Sequence, residues 1–246
     1  IFVHHSTGAN LIIQGNVRTH LNRIAPDIQF WDYGYDPEAI TGYRHLSARL
    51  QPHFFGLHDN KGDKIDFSFE IPDHNTDPDG LAHLFAQPFT DPPQNALSKL
   101  LKYDVVIFKS CFPVTAIRSD EQLYQYQDYY LSIRRTVTQH PDTLFIPMTP
   151  PPLRASQTTP QQAKRARVFA NWMMSKVYHQ NLSNLRPYDF FDQLASPDGT
   201  ENANTLNPLY CPLMFWVSHP NKKANQNVGR NFAEFIAHVI ETVIQN

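Results

Sequence analysis

The sequence predicts an α/β fold in which a central parallel sheet of about five strands carries helices on both faces. Two observations lead there. Short apolar runs rich in aromatic and β-branched residues alternate, from one end of the chain to the other, with segments whose apolar residues recur every three or four positions. The 246 residues also contain no internal repeat and no Gly/Ser linker, so they read as a single domain, residues 1–246, with one large insertion.

The elements follow in order. Residues 1–5 form a strand cut short at its start, which suggests a truncated N-terminus or a piece of a longer chain. Thr7 and Gly8 turn the chain, and 9–24 is expected to be one helix with Leu11, Ile12, Leu21 and Ile24 inward. A second strand spans 28–33 and ends at Gly34. Residues 36–92 are dense in Asp, Pro, His and Gly; an insertion of this length after strand 2 is usually functional or packs as a subdomain. A helix near 94–102 precedes a strand at 104–108. Leu123, Tyr126, Tyr130, Ile133 and Val137 then mark one face of a long helix. The strand 143–149 is stopped by Pro150, Pro151 and Pro152. Residues 161–178 read as a helix with Ala163, Ala166, Ala170, Met173 and Val177 inward. The run 188–194 reads as a fifth strand, and 226–244 as a closing helix through Val228, Phe232, Phe235, Val239 and Val243.

Composition narrows the function classes. With 41% hydrophobic residues, 18% charged and a net charge of −2, the chain has no basic excess with which to hold a phosphate backbone, so no nucleic-acid partner is expected. No apolar run is long enough to span a membrane. Cys111 and Cys211 allow one disulfide or two reduced thiols, and the compartment stays undecided.

Parallel sheets bind ligands at the carboxyl ends of their strands. Here those ends carry His4-His5-Ser6, Tyr33-Gly34, Lys109-Ser110-Cys111, Thr149-Pro150 and the loop after 194. Ser6 follows a strand and precedes a helix, whose free N–H groups and positive dipole end favour a developing oxyanion. The same position suits a plain helix cap by Ser6 or Thr7. His219, in the loop before the last helix, has the chemistry of a general base if the fold brings it to the same edge. A solvent-facing histidine is the simpler reading of that residue alone.

Taken together, the turn "HHSTG", Gly34, "FKSCFP", "TPPPL" and "SHPN" resemble the SGNH/GDSL hydrolases, in an atypical branch where "HHSTG" replaces the usual Gly-Asp-Ser. The resemblance covers nearly the whole chain in its order of elements. It implies a flavodoxin-like three-layer α/β/α sandwich and an ester hydrolase, either an acyl or an acetyl esterase, that needs no metal or cofactor. Ser6 would be the nucleophile, His219 the base, and Gly34 an oxyanion-hole donor through its backbone N–H. The family's oxyanion-hole Asn is absent, and Ser110, Cys111 or Lys109 stands in its place; a buried structural thiol is the alternative for Cys111. Trp216 and Val217 occupy the positions where the family usually has the triad Asp, which leaves Asp189, Asp192 or a backbone carbonyl to orient His219. Loss of that acid costs a serine triad about 10⁴ in turnover. The implied substrate is a small-molecule or glycan ester. The alternative is a weak or inactive carbohydrate- or ligand-binding module on the same fold.

Two other stretches read more plainly. Asp73, Asn75, Asp77, Asp79 and Gly80 imitate the first half of a calcium loop, but Ala86 stands where the closing Glu belongs, so an Asp-Pro turn is the better reading. His74 and His83 lack a third ligand for zinc. Arg154, Lys164, Arg165 and Arg167 read as a solvated basic face.

Overall fold

The computed structural model describes residues 1–34, 55–65, 77–213 and 218–244. Its sheet has six strands, β1 (Phe2–His4), β2 (Asp32–Gly34), β3 (Gly56–His58), β4 (Lys64–Ile65), β5 (Val105–Lys109) and β6 (Leu144–Met148), in the order β4-β3-β2-β1-β5-β6. Among the described residues the α-helices are α1 (Ser6–Gln14), α2 (Val17–Ile24), α3 (Pro78–Phe85), α4 (Ala96–Leu100), α5 (Asp120–Gln139), α6 (Pro160–Met173), α7 (Lys176–His179), α8 (Phe190–Leu194) and α9 (Lys222–Val243).

The α/β class is as expected, but the sheet is mixed. β2, β1, β5 and β6 run parallel, whereas β3 pairs antiparallel with both β2 and β4. The physical reason lies in the insertion. A tight turn over 59–63, with the Asp59 N–H donating to the Asp63 carbonyl at 3.0 Å and Gly62 at φ +88°, folds β3 onto β4 as a hairpin, and hairpin-linked strands are antiparallel.

The expected fifth strand, 188–194, is a second correction. Only single parallel bridges survive there, Met148 to Tyr188 and Phe145 to Leu185, and Phe190–Leu194 is helix α8. Asp189 caps α8 by accepting the Asp192 N–H, and Phe190, Phe191 and Leu194 bury one helical face. The strand expected at 28–33 shrinks to β2, and its last residue is Gly34.

The helix expected over 9–24 begins earlier, at Ser6, and breaks in two. Asn16 takes a left-handed φ of 52°, separating α1 from α2. Leu11, Ile12 and Leu21 point inward as expected, but Ile24, at the end of α2, is 42% exposed. The helix expected over 161–178 likewise ends at Met173, and Val177 in the short α7 is 67% exposed. Asp77 stands at the N-cap position of α3, without a side-chain capping bond, and Pro78 is in its first turn, so Asp79 and Gly80 lie in a helix rather than in a cation loop; Asp73, His74 and Asn75 lie outside the described residues. Among the described residues no group of three His, Cys, Asp or Glu side chains is arranged to hold a metal ion, and no helix is long and apolar enough to cross a membrane.

Two apolar cores lie on the two faces of the sheet. Val3, Tyr33, Val106, Phe108 and Phe145 share one with α3, α4, α5 and α6. Phe2, Ile107, Ile146 and Met148 share the other with α1, α2, α8 and α9. Chain order reverses at β1, with β2 on one side and β5 on the other, so the crevice of this sheet opens at the carboxyl end of β1. Ser6 is two residues beyond that end.

Candidate active site

Ser6 is the first residue of α1. The helix cap is His5, with no side-chain capping bond, so neither Ser6 nor Thr7 is spent on capping. The N–H groups of Ser6 and Thr7 belong to the first turn, which has no intrahelical acceptors to offer them. Gly8 lets this turn sit down on β1: a Cβ there would meet the His4 Cβ at 2.4 Å.

Ser6 Oγ lies 2.7 Å from His219 Nε2, and the two are 213 positions apart in the chain. His5 Nδ1 lies 3.2 Å from the same oxygen. The His219 ring is packed edge-to-face by Phe112, with centroids 5.1 Å apart. Its loop is tied down on both sides. Ser218 Oγ accepts the Arg154 N–H at 3.1 Å and donates to Gln157 Oε1. After Pro220, Asn221 caps α9 through the Ala224 N–H. Asn225, buried in the first turn of α9, donates to the Pro220 carbonyl at 3.1 Å and to Gln14 Oε1 of α1 at 2.9 Å. One amide thus links the helix that carries Ser6 to the loop that carries His219.

The other expected residues fall as follows. Gly34 ends β2 directly beside His4 in the register. The Ser110 hydroxyl is buried against the Tyr130 hydroxyl at 3.1 Å, in the core on the other face, and burial raises the Tyr130 phenol to about 12. Cys111 is buried with its thiol 3.9 Å from Thr7 Oγ1, and both cysteines are free. Lys109 is buried and donates to Thr7 Oγ1 and to the Ser110 carbonyl; burial lowers its pKa, opposed by the Cys111 thiol. Lys109 therefore lies one side chain away from Ser6, against the hydroxyl of Thr7.

The bonds of Asp189 and Asp192 lead away from His219. Asp189 accepts from the Thr149 hydroxyl at 3.0 Å and caps α8, and burial raises its pKa. Asp192 pairs with Arg167 at 2.7 Å. Trp216 and Val217 lie outside the described residues. The basic cluster is engaged rather than merely solvated, since Arg165 pairs with Asp120 and Arg167 with Asp192.

Beneath the Ser6 turn lies a polar cluster with no single-sequence signal. Asp32, buried at the start of β2, accepts His4 Nε2 at 2.7 Å and His58 Nδ1 at 3.2 Å on one oxygen, and Arg18 on the other. Burial pushes the Asp32 carboxyl up. Hydrogen bonds from His4 and His58, with the charges of His4 and Arg18, outweigh that and hold it well below the usual carboxylate range. His4 Nδ1 in turn donates to the His5 carbonyl at 3.1 Å. Periodicity assigns His4 to a strand but cannot reveal a partner 28 positions away; only the parallel register of β1 and β2 joins them.

No protein-family model and no curated protein matches this chain.

Proposed function

We propose that the chain is a serine-dependent ester hydrolase of the SGNH type, acting on a small-molecule or glycan ester with a short acyl group. The observation that carries this reading is the 2.7 Å contact between Ser6 Oγ and His219 Nε2 at the carboxyl end of β1. A serine hydroxyl is a weak nucleophile until a base takes its proton. Here Nε2 is within reach to do so, at a switch point of the sheet where ligands bind.

In this reading Ser6 Oγ attacks the ester carbonyl carbon as its proton passes to His219 Nε2. The negative charge on the former carbonyl oxygen is met by N–H groups at the start of α1, with Gly34 as a further donor. Collapse breaks the bond to the leaving alcohol, which takes the proton from His219. Water, giving its proton to the same imidazole, then attacks the acyl carbon; the bond to Ser6 Oγ breaks, that proton returns to the serine, and the acid is freed. The buried Lys109 holds the turn from below through the Thr7 hydroxyl, and Phe112 fixes the imidazole plane.

The test is incubation with a short-chain aryl ester and with a serine-directed phosphonate, beside a Ser6→Ala variant. Labelling at Ser6 and loss of turnover in the variant are expected. Equal turnover by the two proteins, or a label on another residue, overturns the assignment.

A further inference from the structure

The proposed reaction uses neither of the two histidines ahead of Ser6. His4 ends β1 fully buried, and a buried imidazole is costly unless its nitrogens find partners. Both do. Nε2 lies 2.7 Å from Asp32 Oδ2, and Nδ1 lies 3.1 Å from the His5 carbonyl oxygen. An ionised carboxylate and a carbonyl can only accept, so both ring nitrogens donate. The ring is clamped in this pose. Gly8 of α1 sits on it so closely that a Cβ there would meet His4 Cγ at 2.8 Å, and the Phe2 ring lies beside it with centroids 5.1 Å apart.

The carbonyl that His4 holds is one end of the His5–Ser6 peptide. The other end is the Ser6 N–H. The peptide is planar and trans, so its C=O and N–H point in opposite directions and turn together. The carbonyl also accepts the Gly8 N–H at 2.8 Å and the Ala9 N–H at 3.1 Å, the first bonds of α1. These draw the carbonyl along the helix axis and leave the Ser6 N–H pointing out of the helix end. His4 adds a third donor, from the strand rather than the helix, and a carboxylate backs it. A donor on a carbonyl polarises its peptide and strengthens the N–H at the far end.

We infer that His4, backed by Asp32, is a positioning residue that holds and polarises the His5–Ser6 peptide, so that the Ser6 N–H meets the oxyanion. The inference rests on the hydrolase reading of Ser6. Asp32 also stands two residues before Gly34, the further donor in that reading, and His4 is the register partner of Gly34. One buried pair thus ties together the strands that present both donors.

The experiment separates the two ring nitrogens by substitution. The amide nitrogen of Gln is as many bonds from Cα as Nε2, and that of Asn as many as Nδ1. His4→Gln can therefore keep the bond to Asp32 while losing the one to the carbonyl, and His4→Asn does the reverse. Removing one oxyanion donor costs roughly 10²–10³ in kcat, and one polarising bond strengthens the next by about 10–30%, so His4→Gln should lose roughly two- to eightfold in kcat on an aryl ester. Its KM should stay within about twofold of wild type. His4→Asn should fall between His4→Gln and wild type. A histidine that merely satisfied the buried Asp32 would give the opposite order. By NMR, the Ser6 amide ¹⁵N should move upfield in His4→Gln and back in His4→Asn, as the bond to the preceding carbonyl is lost and restored. In wild type alone, both His4 ring N–H protons should give signals protected from exchange. Unchanged kcat in His4→Gln, a His4→Asn no better than His4→Gln, an unmoved Ser6 ¹⁵N, or a missing Nδ1–H signal in wild type overturns the inference and leaves Ser6 as nucleophile. A wild type that neither turns over the ester nor takes the phosphonate at Ser6 overturns the hydrolase reading, and the role of His4 with it.

Discussion

Gly229 of α9 packs backbone to backbone against Gly15 at the end of α1: a Cβ on Gly229 would stand 2.3 Å from the Gly15 carbonyl oxygen and 2.6 Å from its Cα. This close crossing sets the spacing between the helix that begins with Ser6 and the helix that follows His219. The chain must leave the crossing through the left-handed Asn16 before α2 can start.

Gly229→Ala is therefore expected to destabilise the fold by about 1–3 kcal/mol, although alanine is intrinsically the better helix former by about 1 kcal/mol. The atoms that must yield are backbone, so the site has no flexible side chain to move aside. Urea unfolding measures this directly. An unchanged or raised midpoint would show that α1 and α9 separate easily.

Ser6 and His219 are expected to act as a unit. Ser6→Ala and His219→Ala should each lower kcat on an aryl ester by roughly 10⁴-fold or more, and the double variant should be no worse than the poorer single one. Additive losses would mean that the two side chains serve separate steps. Asn225→Leu touches neither reacting atom, but removes the tie between Gln14 and the Pro220 carbonyl. It should lower kcat more than it raises KM while leaving phosphonate labelling confined to Ser6.

Much of this candidate site is readable in the sequence because its two central residues stand where chain and chemistry coincide. Ser6 follows an apolar run and precedes a helix, and His219 precedes a strong amphipathic helix. The parts that were not readable depend on residues far apart. Asp32 looks like an ordinary strand residue until β1 and β2 pair in register and bring His4 to it. The aromatic run from Tyr188 to Phe191 has the composition of a strand. Asp189 nonetheless turns it into α8 by capping it, held by a threonine hydroxyl from the end of β6. The β3–β4 hairpin did carry a local signal in the Asp59–Asp63 turn, but it was embedded in an insertion whose polar composition masks short strands.

Asp32 gives the fold an acid-sensitive joint. Its pKa is depressed on folding, so its stabilisation is complete above the ordinary carboxylate value of about 3.9 and is lost as pH falls from there towards the folded value. Wild-type stability should drop steeply below about pH 4. Asp32→Asn leaves Arg18, His4 and His58 without their counter-charge and should cost about 3–5 kcal/mol near neutrality. Its stability should also fall less steeply in acid. Parallel acid limbs for the two proteins would show that Asp32 is not the titrating group.

Lys109 has the opposite linkage. Burial depresses its pKa, so the folded chain carries a penalty while the ammonium is protonated in both states. The penalty is full below the folded pKa and fades as pH rises towards the ordinary lysine value of about 10.4. The buried tyrosines pull the other way, since Tyr130 is raised on folding and its neutral form is favoured there. The comparison that isolates Lys109 is therefore the difference in unfolding free energy between wild type and Lys109→Met, followed from about pH 7 to about pH 10. Wild type should gain on the variant as pH rises. A constant difference would mean that the Thr7 hydroxyl and Ser110 carbonyl hold the ammonium well enough to cancel its desolvation. In that case Lys109 would act on the Ser6 turn as a fixed charge at all working pH values.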